Sequence, residues 1–290
     1  MLRGGCGDAG DRVPIAGGGA IGVRPAYAGK VLIVTGASSG IGRALCYTLA
    51  PQGPRLVLAA RDATRLEAVA ESCRGRGAEA LVVPTDVTRQ EECARLVERA
   101  VGHFGGLDVL VNNAGAGMVA AFEDVLDLSI FEDLMRVNYL SCVYLTHHAL
   151  PHLKKSRGQI VVVASLAGLT GVPTRTGYAA SKHALFGFYD SLRIELDGTG
   201  VAVTLLAPDF VVSEIHVRAA GPDGRPLGKS PMQESRIMTA ERCAELMVPA
   251  MERRRRLLVM SLRGRVGRFV RLLAPGLIDR IARRAVDRGR

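Results

Sequence analysis

Six short apolar runs recur at residues 30–34, 55–60, 80–84, 107–111, 159–164 and 201–207, with segments of helical length between them. Within each run the apolar residues are nearly continuous and do not alternate with polar ones. A strand with that pattern is covered on both faces, as in a parallel sheet packed between two layers of helices. Strands alternating with helices, joined by right-handed crossovers, define an α/β chain with a doubly wound, mostly parallel sheet flanked by helices. In such a sheet ligands bind outside the carboxyl ends of the strands, where the strand order reverses. The residues just after each run are therefore the candidates for chemistry.

The composition supports a folded core. The chain has 290 residues, 48% hydrophobic and 23% charged, which excludes wholesale disorder. Its longest nearly apolar run, 160–172, contains Ser165, Gly168, Thr170 and Gly171 and falls short of the roughly 20 residues that span a bilayer. The formal charge of +10 is local. Residues 251–290 carry 13 Arg and no Lys against Glu252, Asp279 and Asp287, and the first 250 residues carry 25 basic and 25 acidic side chains. A nucleic-acid-binding domain would carry its basic face on the fold itself, and Phe269 is the only aromatic residue in the basic segment, so no nucleic-acid partner is expected. The cysteines (Cys6, Cys46, Cys73, Cys93, Cys142, Cys243) form no CxxC pair and no metal-ligand spacing. They read as reduced thiols of a cytoplasmic protein, and no metal is expected.

The first run leads into Thr35-Gly36-Ala37-Ser38-Ser39-Gly40-Ile41-Gly42 and then into helical spacing from Ile41 to Ala50. Glycines let the backbone turn sharply and approach a pyrophosphate, and the helix start offers free N–H groups and the positive end of its dipole. The spacing is G-x-x-x-G-x-G. The second run ends Ala59-Ala60-Arg61-Asp62, with no acid at the strand terminus to hold a ribose hydroxyl and an arginine able to hold a 2′-phosphate. The expected cofactor is therefore NADP(H), with NAD(H) as the alternative. Asp86 and Val87 follow the third run as candidate adenine contacts, and Asn113, Ala114 and Gly115 follow the fourth as candidates to bracket the cofactor.

Tyr178 and Lys182 stand one helical turn apart on one face. A fixed ammonium beside a phenol favours its ionised form by opposite-charge attraction. Ser165 lies just past the fifth run, and Asn138 lies 40 residues before the tyrosine. These groups converge on one edge of the sheet.

In order and spacing, the Gly36–Gly42 turn, Asn112-Asn113-Ala114-Gly115, Asn138, Ser165 and Tyr178…Lys182 resemble the classical short-chain dehydrogenase/reductase family, over residues 29–250. The resemblance implies a single Rossmann-type domain and hydride transfer between a nicotinamide and a carbonyl or secondary alcohol. It implies Tyr178 as general acid/base, Lys182 on the nicotinamide ribose and beside the tyrosine, Ser165 orienting the substrate oxygen, and Asn138 holding a water that links Lys182 to solvent. Pro208 and Ser213 would contact the nicotinamide side of the cofactor. Asp209 departs from the pattern, standing where the family has a glycine free to adopt conformations costly to other residues. The family also implies a homodimer or homotetramer, formed through the helices carrying Asn138 and Tyr178. A non-catalytic dinucleotide-binding regulator on the same fold is the alternative function.

Residues 1–28 read as a flexible leader, 29–250 as the catalytic domain and 251–290 as a C-terminal extension. Within the domain, 209–238 reads as a substrate loop long enough to cover the site. Met118, Val119, Phe210 and Ile215 are candidates for an apolar pocket, which suggests an apolar small-molecule substrate. In the extension, Val266, Phe269, Val270 and Leu273 have helical spacing, Pro275-Gly276 breaks it, and Leu277, Ile278, Ile281, Ala282, Ala285 and Val286 resume it. This basic amphipathic helix pair is expected to pack on the enzyme or on a sister subunit, with peripheral contact to an anionic membrane surface as the alternative.

Overall fold

The computed structural model describes residues 25–287, with side chains described through residue 284. Seven strands form one parallel sheet in the order β3-β2-β1-β4-β5-β6-β7. They are β1 (Val31–Thr35), β2 (Arg55–Ala60), β3 (Glu79–Pro84), β4 (Val109–Asn112), β5 (Gln159–Val163), β6 (Ala202–Ala207) and β7 (Leu257–Val259). The order reverses between β1 and β4, which pair in register from Leu32 with Val109 to Val34 with Val111. This is a Rossmann-type sheet, and its switch point lies at the carboxyl ends of those two strands.

The strand period of two divides the core. Leu32 and Val34 point into one layer with Leu45, Leu49, Leu66, Met247 and Met251. Val31 and Ile33 point into the other with Leu96, Leu145, Leu185 and Tyr189. The first layer is supplied by helices α1 (Gly40–Leu49), α2 (Ala63–Arg74) and α8 (Ala240–Glu252). The second is supplied by α3 (Gln90–Phe104), α5 (Ser141–Ser156) and α6 (Thr176–Glu195). A smaller cluster of Met118, Ala120, Ile130 and Leu134 packs α4 (Ser129–Met135) beneath the segment after β4. One π-helical turn, Arg136–Leu140, joins α4 to α5 and carries Asn138.

Both ends of the fold differ from the sequence expectation. Tyr27, assigned to the leader, is buried, and its backbone N–H donates to Gln52 Oε1 at 3.2 Å. Residues 1–24 of that leader, with Cys6, lie outside the described residues. At the other end the boundary drawn at residue 250 falls inside α8, and β7 adds a seventh strand by pairing Leu257–Val259 with Leu205–Ala207. Three residues behind the Arg253–Arg256 run are too few to show a strand period, so the run hid the edge strand. Two helices follow, α9 (Leu262–Leu273) and α10 (Pro275–Asp287), with Pro275 at the first position of the second, where its missing N–H costs nothing. The 209–238 segment contains a short helix α7 (Glu214–Val217).

Candidate active site

A cavity of about 410 Å³ opens at the carboxyl ends of β1, β4, β5 and β6. Its nucleotide end begins at the turn after β1. Gly36 has φ of +63°, and a Cβ there would lie 2.9 Å from Asn113 Nδ2. A Cβ at Gly42 would meet the Gly36 carbonyl oxygen at 2.3 Å, so the turn closes only with glycine at both positions. Ser39 caps α1 with extended backbone and no side-chain hydrogen bond, so the first N–H groups of the helix are left for a ligand. The buried Thr35 hydroxyl locks the turn to the neighbouring strand. It donates to the Val111 carbonyl and accepts the N–H groups of Asn113 at 2.9 Å and Ala114 at 3.0 Å.

Arg61 lines the cavity and is exposed. Its neighbour Asp62 is engaged elsewhere, capping α2 through the Arg65 N–H and pairing with the Arg65 side chain. Asp86 and Val87 do not line the cavity. Asp86 folds its carboxylate onto Thr88, accepting from both N–H and hydroxyl; burial pushes the carboxyl up, but those bonds with the charges of Arg61 and Arg89 hold it below its ordinary value. Ser38 and Gly42 also lie behind the lining, whereas Gly36, Ser39, Gly40, Ile41, Asn113, Ala114 and Gly115 are on it.

At the reactive centre Ser165, Tyr178 and Lys182 face the same cavity. Ser165 leaves β5 with extended backbone, and its Oγ accepts the Ala167 N–H at 3.1 Å. Lys182, 4% exposed, donates to the Val163 carbonyl at 3.0 Å, with Nζ 5.8 Å from the centre of the Tyr178 ring. Asn138 is fully buried and is not on the lining. Its amide grips Ala116 at both backbone groups, at 2.8 and 3.0 Å, and donates to Ser181 Oγ at 2.9 Å. It thereby fixes the strand exit and the helix between Tyr178 and Lys182. Pro208 and Ser213 are on the lining, and Ser213 Cβ would lie 3.2 Å from a Cβ on Gly40, which brings the β6 exit against the glycine turn.

The substrate end draws on the first part of the expected 209–238 loop, between Asp209 and Ala219, and on a second segment as well. Phe210 and Ile215 line it; Met118 is core, fully buried with its sulfur accepting the Gly177 N–H, and Val119 is not on the lining. The stretch after Ala219 turns away, and Pro222 accepts the Leu126 N–H. The C-terminal helices complete the cover, contributing Arg263, Gly264, Gly267, Arg268, Ile278, Ile281 and Ala282 to the wall. Helix α9 packs through its small face: a Cβ on Gly264 would lie 2.8 Å from both Leu166 and Val259. Of the stripe read from sequence as the packing face, Val266, Phe269 and Leu273 are exposed and Val270 is half-buried.

Asp209 explains how α9 is held. Its φ is not positive, so the departure from glycine carries no backbone strain. Its carboxylate accepts two bonds from Arg263, at 2.6 and 2.8 Å, with a third from Ser261 Oγ at 2.7 Å and a fourth from the Phe210 N–H. Burial alone would raise this carboxyl, but the Arg263 guanidinium and the other donors hold it below its ordinary value. Arg271 adds a bond to the Leu169 carbonyl. Sequence reasoning missed this latch because its partners are more than fifty residues apart; the aspartate at an unexpected position was its only local signal.

A glycine turn opening a helix at the switch point, with a serine, a tyrosine and a lysine in the same cavity, defines a dinucleotide-binding oxidoreductase site. The family profile for short chain dehydrogenases matches residues 30–221. The chain is 36% identical over 259 residues to a "Dehydrogenase/reductase SDR family protein 7-like" of Dictyostelium discoideum, covering 87% of this chain and 80% of that one. It is 44% identical over 189 residues to "11-beta-hydroxysteroid dehydrogenase A" of Arachis hypogaea, covering 65% of this chain and 54% of that one. Among solved structures, a short chain dehydrogenase/reductase from Burkholderia phymatum in complex with NAD superposes with a TM-score of 0.76 at 28% identity, over 87% of this chain and 95% of that one. An alcohol dehydrogenase from the archaeon Thermococcus sibiricus, complexed with 5-hydroxy-NADP, gives 0.64 at 29% identity, over 75% and 88%. The chain belongs to the short-chain dehydrogenase/reductase family of oxidoreductases.

Proposed function

We propose that this protein is an NADP(H)-dependent oxidoreductase acting on a carbonyl or secondary alcohol of a small molecule with an apolar body. The observation that carries the reading is the convergence of Ser165, Tyr178 and Lys182 with the glycine turn and Arg61 on one cavity. A bound nicotinamide dinucleotide would supply or accept the hydride. The turn at Gly36–Gly42 and the free N–H groups of α1 would hold its pyrophosphate, and Arg61, with no ion-pair partner among the described residues, would hold a 2′-phosphate. In reduction, Tyr178 gives its proton to the substrate oxygen as charge develops there, and Ser165 donates a hydrogen bond to the same oxygen. Lys182 stands beside the tyrosine, with Nζ 5.8 Å from its ring centre. Asn138 positions both through its hold on Ala116 and Ser181.

The protein is further proposed to be cytoplasmic and to assemble as a homodimer or homotetramer through α5 and α6. No helix among the described residues is long and apolar enough to cross a membrane. Leu262, Val266, Phe269 and Leu272 of α9, exposed among arginines, are the face available for peripheral membrane contact.

Titration with NADPH and NADH, followed by nicotinamide fluorescence, tests the cofactor assignment. The wild type is expected to favour NADPH, and Arg61→Ala to close most of that gap, about tenfold or more for a charge-assisted contact. Equal affinities in the wild type would overturn the preference. Failure of both nucleotides to bind would overturn the cofactor assignment, and binding with no turnover of any carbonyl would turn the reading towards a dinucleotide-binding regulator.

A further inference from the structure

Arg175 is a buried charged residue of the cavity that the proposed chemistry does not use. It caps the N-terminus of α6, one turn before Tyr178, and lines the cavity while only 8% exposed. Its guanidinium lies over the Phe210 ring, with Cζ 5.1 Å from the centroid. Of its five N–H groups, one reaches the Met232 sulfur at 3.4 Å, a weak acceptor, and Nε is buried with no partner. Among the described residues no oxygen atom accepts from this side chain and no carboxylate pairs with it. A guanidinium stays charged, and a buried charge without a counter-charge is costly.

Its neighbours do not supply one. Asp209 is committed to Arg263 and Ser261. Glu214 is committed to Arg65 and Arg218. His216, buried beside Arg175, bonds the Val211 carbonyl through Nε2; burial and the Arg175 charge hold its imidazole below its ordinary range, and an imidazole supplies no negative charge in either of its forms. Burial also presses on the Arg175 cation itself, and the nearby Tyr178 offsets part of that effect. The remaining place for a counter-charge is the cavity.

We infer that Arg175 is the binding site for a carboxylate of the substrate, so that the substrates are oxo acids and the corresponding hydroxy acids, with an apolar body against Phe210, Ile215 and Ile278. This rests on the oxidoreductase reading above and narrows it: neutral ketones of the same shape are the poor substrates. A guanidinium fork binds a carboxylate through two parallel hydrogen bonds. The i, i+3 placement of Arg175 and Tyr178 sets the carboxylate a short distance from the reacting carbon.

The test uses the whole chain and probe pairs that differ in charge and by one methyl group: 3-oxobutanoate, 4-oxopentanoate and 5-oxohexanoate, each against its methyl ester, with NADPH oxidation giving kcat/KM. In parallel, pentanoate and pentanamide are titrated calorimetrically into the NADP⁺-loaded protein. At least one acid is expected to exceed its ester about tenfold or more, and pentanoate to bind about tenfold or more tightly than pentanamide. Arg175→Met should collapse both ratios towards one, and Arg175→Lys, which keeps the charge and loses the fork, should restore part of each. Acids and esters reduced equally would overturn the inference and leave the oxidoreductase reading standing. Pentanoate binding that Arg175→Met abolishes, in a protein that reduces no probe, would support the anion site and count against the oxidoreductase reading. Pentanoate that binds no better than pentanamide, or equally well without Arg175, overturns the inference whatever the turnover.

Discussion

At the nucleotide end of the cavity the walls come from short stretches that each follow a strand: the turn after β1, Arg61 after β2, and Asn113–Gly115 after β4. At the substrate end they come from the Leu166–Arg175 stretch, the β6 exit and α7, and two helices from the last thirty residues. The first end is held by backbone geometry and by the Thr35 hydroxyl between adjacent strands. The second is held by an ion pair between Asp209 and Arg263, residues far apart in the chain. The comparison teaches that one end of the cavity is built from turns local to the strands and the other from segments distant in the chain.

The largest effect that sharpens this division falls at the boundary between the two ends. Tyr178→Phe removes the transferable proton, and turnover of any carbonyl substrate should drop about 10²- to 10⁴-fold, while NADPH affinity changes by no more than about twofold. Rapid-mixing measurement of NADPH oxidation and a nucleotide titration on the same protein separate the two. A variant that loses nucleotide binding along with turnover would show that the two ends are not separable at this residue.

A smaller effect concerns the latch. The Asp209 carboxyl is held below its ordinary value in the folded protein, so its contribution is complete above the unfolded carboxylate pKa of about 3.9 and is lost as pH falls through the folded value. Amide exchange in α9, corrected for intrinsic rates, should show the same protection at pH 7 and pH 5 and a loss below about pH 4. The protection of α1 should be the last to change. Loss already between pH 7 and pH 5 would point to a different group as the clamp.

The same contrast decides how much was legible in the sequence. Strands with continuous apolar runs announced the doubly wound sheet, and the order of Gly36, Ser165, Tyr178 and Lys182 announced the family, because each motif is local. β7 was not legible: three residues next to four arginines carry no period. The covering of the substrate end was misread for a physical reason. The apolar stripe of α9 looked like its packing face, but the close approach is made by Gly264, whose lack of a side chain leaves no mark in a hydrophobic pattern. Asp209 looked like a backbone problem and is a side-chain anchor. Arg175 gave no signal because an arginine at a helix start is ordinarily solvated; only its burial sets it apart.

The central claim is that the C-terminal helices belong to the substrate half of the site and not to the nucleotide half. Arg263→Met in the full-length chain tests it directly, with NADPH affinity and the KM of a carbonyl substrate measured on the same preparation. Loss of a charge-assisted pair of hydrogen bonds is expected to raise the KM about tenfold and to leave the NADPH dissociation constant within about threefold. A KM that does not move, or a nucleotide affinity that falls in step with it, would contradict the account.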